Sequence, residues 1–146
     1  MKIKLFFLSF LTISILFNQS FSQIIGGTIE IVKCTSDALT SKDENTLKQE
    51  LEEYFKSELY NYGFSVTKPG SKSLSFSYTA SAHICYDNDC RKYYYCFELR
   101  AYDNTGRAEA LTYGPYLSVT DSFTKMETEL KDYLEAAGEE MHRKYQ

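Results

Sequence analysis

Two stretches of the chain alternate with a period of two, and they limit the fold more than any other feature. Ser73–Cys85 places Leu74, Phe76, Tyr78, Ala80, Ala82 and Ile84 on one face and Ser73, Ser75, Ser77, Thr79, Ser81 and His83 on the other. Lys92–Tyr102 places Tyr93, Tyr95, Phe97, Leu99 and Ala101 against Lys92, Tyr94, Cys96, Glu98 and Arg100. Successive side chains of a strand point to opposite faces, so each stretch reads as a strand with one buried side. Tyr86-Asp87-Asn88-Asp89 between them has turn composition. With Cys85 opposite Cys90, the pairs become Ala82/Tyr93, Ala80/Tyr95, Tyr78/Phe97, Phe76/Leu99 and Leu74/Ala101. A one-residue slip would set Ser and Thr against this apolar set.

The remaining elements follow from local pattern. Asp103-Asn104-Thr105-Gly106 is a second turn, and Arg107–Tyr113 returns as a strand. Closure at Tyr102/Arg107 sets Ala101 against Ala108, Leu99 against Ala110 and Arg100 against Glu109, and Gly114-Pro115 ends the strand. Thr28–Thr35 reads as a first strand. Leu47, Leu51, Tyr54, Phe55, Leu59 and Tyr62 recur at helical spacing, predicting a helix over 45–62. Ser41 and Glu44 form a candidate capping box, and Gly63 is a C-terminal stop. Phe64–Val66 is a short strand ended by Pro69-Gly70. After Thr120 or Asp121 as cap, Phe123, Met126, Leu130, Tyr133, Leu134, Ala137 and Met141 predict a second helix to about residue 143. The order β-α-β-β-β-β-α implies an α+β fold: an antiparallel sheet of four to five strands with two amphipathic helices on one face.

The first 22 residues are set apart. Lys2 and Lys4 precede an apolar run from Leu5 to Phe17, and Ser20 and Ser22 follow. A basic start, an apolar middle and a small-residue exit read as a secretory signal peptide cleaved near Ser22, leaving 23–146 as one domain. Retention of the segment as an anchor is the other reading. A lipoprotein signal would need a Cys after the cleavage site, where Gln23 stands. Beyond residue 22 only 23 of 124 residues are Leu, Ile, Val or Phe, while all 13 Tyr lie there. Such a core leans on Tyr, which joins apolar area to a hydroxyl that seeks a partner. The charge of this portion is −6, with Lys scattered, which offers no footprint for nucleic acid. No second apolar run is long enough to span a membrane.

Four Cys in an exported chain read as two disulfides. The hairpin register favours Cys85–Cys90, leaving Cys34–Cys96. Cys85–Cys96 with Cys34–Cys90, and Cys34–Cys85 with Cys90–Cys96, are the alternatives. His83, Cys85, Cys90 and Cys96 are zinc-ligand types, but H-x-C-x4-C-x5-C is no recognised knuckle and export favours oxidation. Ile24-Ile-Gly-Gly27 and the segment around His83 look superficially like parts of trypsin-like proteases, yet no Gly-Asp-Ser-Gly segment supplies a nucleophile. His142 lies in a charged helix end. No phosphate-binding glycine loop and no catalytic constellation emerge, so neither enzyme activity nor a cofactor nor a metal is expected. Tyr93-Tyr94-Tyr95 is the binding-like feature. With Tyr93 and Tyr95 in the core, Tyr94 faces outward, near Tyr113 and Leu111 and on the polar face with His83. Exposed Tyr contributes contact area at small entropic cost.

The helix ending in Gly63-Phe64-Ser65-Val66, the meander with Asp103-Asn104-Thr105-Gly106 and the final long helix resemble small periplasmic α+β domains of outer-membrane assembly factors, LptE-like and CsgG-like. The resemblance spans residues 45–137 and implies a non-catalytic role, docking to an envelope partner. The lipid-bearing Cys of such lipoproteins is missing. A cystatin-like inhibitor also fits a helix against a four-stranded sheet, but its Gln-x-Val-x-Gly loop is absent. The expectation is an exported binding or envelope-assembly domain with an unknown protein partner. A small hydrolase or metal-dependent enzyme is the rival.

Overall fold

The computed structural model describes residues 23–104 and 111–146. The expected signal peptide and residues 107–110 of the expected fifth strand lie outside the described residues. The elements run β1 (Ile24–Lys33), α1 (Ser41–Asn61), β2 (Ser65–Val66), β3 (Phe76–Asp87), β4 (Lys92–Asp103), β5 (Leu111–Thr120) and α2 (Phe123–Tyr145). The α+β class and the element order match the sequence reading.

The five strands form one sheet in the order β2-β1-β3-β4-β5. β3, β4 and β5 pair antiparallel as a meander. β1 runs parallel to both β2 and β3, so the sheet is mixed. The cause is topological: α1 carries the chain back across the sheet, and a strand entered after such a crossover runs parallel to the one left.

Local chemistry sets the helix ends. Thr40 rather than Ser41 caps α1, its hydroxyl accepting from the Asp43 N–H at 3.1 Å. At the other end Gly63 takes φ +85°. Its N–H donates to the Tyr60 carbonyl, and the Phe64 N–H donates to that of Leu59. This paired closure needs a left-handed residue, which glycine supplies without steric cost. Phe64 and Leu59 are both buried beside it. Ser122 caps α2 through the Lys125 N–H.

Both helices cover the same face of the sheet. Phe55 of α1 meets Tyr78 of β3 edge-on at 5.0 Å between ring centres. Tyr133 and Tyr145 of α2 stack on Phe97 at 5.7 Å and on Phe76 at 4.2 Å. Ile25, Ile29, Ala80, Ala82, Ile84, Leu99 and Ala101 complete the floor, all fully buried. The Lys33 ammonium binds the Glu44 carboxylate at 2.9 Å and ties the end of β1 to the first turn of α1.

The strand registers differ from expectation. Ala82 pairs with Phe97, Ala80 with Leu99 and Tyr78 with Ala101, while Cys85 faces Tyr94 rather than Cys90. β3 continues two residues further, to Asp87 opposite Lys92, where β4 begins as expected. Tyr86 and Tyr93 pack ring against ring there, at 4.8 Å. The turn is closed by the Asp87 carboxylate, which accepts the N–H groups of Asp89 and Cys90 at 2.8 and 3.0 Å. Those bonds hold the Asp87 carboxyl below its ordinary range. In the second hairpin Ala101 faces Leu111 and Arg100 faces Thr112, not Ala108 and Glu109. Arg100 instead binds Glu98 on its own strand, at 3.1 Å. Gly114-Pro115 does not end β5. The strand passes through a register shift opposite Phe97–Leu99 and runs on to Thr120. Proline is tolerated there because no further strand pairs with β5 among the described residues.

Candidate functional site

With both helices on one side, the opposite face of the sheet is left without a covering layer among the described residues. Odd-numbered residues of β3 and even-numbered residues of β4 point into it. Past the register shift, Leu117 and Val119 of β5 join them. At one end these side chains line an open groove of about 450 Å³. His83 and Cys85 of β3, Tyr94 and Cys96 of β4, Leu117 and Val119 of β5, and Cys34 just beyond β1 form its surface. The character is apolar: Leu117 is 83% exposed, Val119 50% and Tyr94 44%. Three large apolar side chains held out to solvent side by side form a patch of the kind that marks a contact surface.

The groove's sulfur chemistry corrects the expected pairing. Cys34 is bonded to Cys85, with their Cα atoms 4.9 Å apart. The Cys34 N–H donates to the Ile84 carbonyl at 2.9 Å, which extends the β1–β3 ladder and sets the two cysteines side by side. Cys90 and Cys96 are free thiols. A Cys85–Cys90 bridge is precluded because Cys90 sits in the turn, past the end of β3. Cys34–Cys96 is precluded because β3 lies between their strands. Cys90 and Cys96 cannot reach each other either. The four steps from Lys92 to Cys96 alone extend about 13 Å, beyond any disulfide. The zinc set His83, Cys85, Cys90 and Cys96 is likewise not assembled, since Cys85 is committed to Cys34 and Cys90 lies in the turn.

The predicted binding residues separate into two groups. Tyr94 and His83 share the groove. Tyr113 and Leu111 do not lie near Tyr94: they are on the helix-covered face, packed against the core, with Tyr113 6.5 Å from Phe97 between ring centres. The three-residue difference in β5 register, an odd number, carries them to that side. Burial, then the neighbouring Tyr116, raises the Tyr113 phenol to about 12. Leu117 and Val119 are the groove residues that the sequence reading missed. They lie beyond Gly114-Pro115, but the alternation of Tyr116, Leu117, Ser118 and Val119 carries the signal.

Beneath the groove, on the helix side, Glu129 of α2 accepts the hydroxyls of Ser118, at 2.7 Å, and Tyr95. Burial first, and the bond to Glu129 second, raise the Tyr95 phenol to about 12. This link ties β4 and β5 to α2. Beside the groove, His83 also borders a shallow depression with Glu30 and Glu98 from neighbouring strands. Glu98 is engaged by Arg100. No hydrogen bond orients the His83 ring among the described residues.

No protein-family model matches the sequence, and no curated protein matches it. Solved structures align with the chain. A PelC dodecamer from Paraburkholderia phytofirmans aligns with TM-score 0.50 and 10% identity over 79% of this chain and 84% of that one. A neuraminyllactose-binding hemagglutinin homolog from Helicobacter pylori aligns with TM-score 0.49 and 6% identity, covering 88% of this chain and 84% of that one. A Xanthomonas campestris protein of the DUF330 family aligns with TM-score 0.45 and 11% identity, covering 86% of each. At 10% identity the PelC likeness is one of fold alone.

Proposed function

We propose that the protein is an exported, non-catalytic binding domain that docks a protein component of the cell envelope through its uncovered sheet face and the adjoining edge strand β5. The observation that carries this reading is the apolar groove, with Leu117 83% exposed beside Val119 and Tyr94. An apolar strand pair at a sheet edge accepts a partner through both side chains and backbone. Export rests on the signal-like segment 1–22 and accords with a disulfide, a bond that persists in oxidising compartments. The likeness of fold to a PelC dodecamer supports a subunit role, since that protein is an assembly. It also accords with the LptE-like and CsgG-like resemblance of the sequence.

The hydrolase reading has one observation in its favour, the depression that brings His83 beside Glu30 and Glu98. It fits less well. A general base needs a partner that orients its ring, and Glu98 is already bound to Arg100. The test is a photo-crosslinking residue placed at Leu117 and, as control, at Lys56 on the exposed side of α1, in cells exporting the full chain. The expected result is a discrete protein adduct, to a second copy or to another envelope protein, from position 117 alone. Equal labelling from both positions, or none from 117, overturns the reading.

A further inference from the structure

Three sulfurs and an imidazole share the groove. The strand order β1-β3-β4 puts Cys34, Cys85 and Cys96 in a row across the uncovered face, with Cys85 in the middle. Cys85 is bonded to Cys34 on one side, and the free Cys96 lies on the other. His83 stands directly opposite Cys96 in the register, next on this face to Cys85.

We propose that this row is a thiol–disulfide exchange site, in which the bond moves between Cys34–Cys85 and Cys85–Cys96. Exchange requires a thiolate to approach the central sulfur from the side away from the leaving sulfur. The row supplies that direction, because β3 separates β4 from β1. The Cys96 thiolate attacks the Cys85 sulfur. The Cys96–Cys85 bond forms, the Cys85–Cys34 bond breaks, and Cys34 leaves as a thiolate. The Cys96 proton leaves to solvent, and solvent returns a proton to Cys34 where that thiolate does not react further. Electrons are conserved and no oxidant is consumed. Diagonal neighbours of an antiparallel pair stand about 7 to 8 Å apart, beyond the reach of a disulfide, so β4 must slide locally along β3 to bring Cys96 to Cys85. The β3–β4 ladder must give at this pair, and on its other edge β4 is already out of a regular ladder, because the β4–β5 register shifts at Phe97–Leu99, one residue from Cys96. The released Cys34 is exposed at the groove rim, where it attacks an external disulfide: a mixed disulfide forms on Cys34 and one external thiol departs. The exchange is intramolecular and stands apart from whether the face docks a partner.

Glutathione disulfide is the probe, applied to the full exported chain carrying Cys90→Ser and quenched in acid before unreduced mass mapping. The expected product carries glutathione on Cys34 and a Cys85–Cys96 bond, at least tenfold over any glutathione on Cys96. Glutathione on Cys96 with Cys34–Cys85 intact, or no adduct, overturns the proposal. In a second arm, Cys34→Ser with Cys90→Ser is oxidised and checked for native far-UV circular dichroism. A Cys85–Cys96 bond is expected, and two thiols that remain open to alkylation in the folded variant overturn it. The first arm decides alone where that variant does not fold.

Discussion

At single residues the sheet shows where it has no slack. Gly27 of β1 faces Tyr78 of β3, and a Cβ added there would lie 2.2 Å from the Tyr78 carbonyl oxygen and 2.4 Å from its ring. Backbone is among the atoms met, so the strands themselves must part. Gly27→Ala is expected to cost about 3 kcal/mol, at the upper end of overpacking effects, read as a lowered urea midpoint. The cysteines make a second comparison. The Cys34–Cys85 bond closes 51 residues, which in the chain-entropy picture is worth about 4 kcal/mol. Cys85→Ser removes every bond the central sulfur can make and should lower the melting temperature markedly. Cys90→Ser, at an exposed turn thiol, should leave it within a degree or two of the parent. A melt lowered equally by both would refute the assigned pairing. The identity of the cross-link was not legible in the sequence. All four cysteines were visible, but the choice among them depends on which strands are neighbours, and no thiol encodes that β1 lies beside β3.

At the scale of elements, the two helices meet through a charged contact with a readable pH signature. Lys131 of α2 binds Glu127 at 2.6 Å and reaches Glu50 of α1 at 3.9 Å. Lys131 first, and a hydrogen bond from Glu50, hold the Glu127 carboxyl below its ordinary range, while Glu127 pushes Glu50 up. A depressed carboxyl contributes stability that is present above its unfolded pKa and is lost as pH falls through the folded value. In Lys131→Met the two carboxylates face each other uncompensated, so the sign reverses and acid relieves the variant. The expected difference is up to about 1 kcal/mol at pH 7, given partial exposure, and it shrinks progressively as the pH falls from about 4 to about 2. Urea midpoints at about pH 7 and about pH 2 measure it; a difference that persists in acid would assign the effect to lost packing instead. Elements were the most legible level. Period and caps located both helices to within a few residues, and alternation found β3 and β4 with the correct buried faces. The β3–β4 register differs from the expected one by four residues because alternation fixes register only modulo two: the pairs Ala82/Tyr93 and Ala82/Phe97 satisfy the same pattern. In β5 the reading stopped at Gly114-Pro115, since proline normally breaks a ladder. That stop hid Leu117 and Val119, and with them the groove.

At the scale of the whole molecule, the dependence on tyrosine in place of aliphatic residues has a measurable consequence in alkali. Burial is the first cause that raises Tyr54, Tyr95 and Tyr113 to about 12, and it pushes Tyr78, deep under Phe55, up as well. An unfolded chain ionises all its phenols near pH 10. A group whose folded pKa is raised contributes stability that is complete below its unfolded value and is lost as pH climbs through the folded one. Several such groups act together here, on strands β3, β4 and β5 and on α1, so the loss is shared by the whole sheet–helix interface. The fold should therefore hold its neutral-pH stability to about pH 10 and lose it steeply toward pH 12. Phenolate absorbance followed from pH 8 to 13 should show only part of the 13 tyrosines ionising near 10, and the rest appearing together with loss of the far-UV signal. In strong denaturant all 13 should ionise in one wave near 10. If the native chain instead titrates in that single wave with its secondary structure intact, the phenols are not held neutral by burial, and a core built on tyrosine is not what keeps the helices on the sheet.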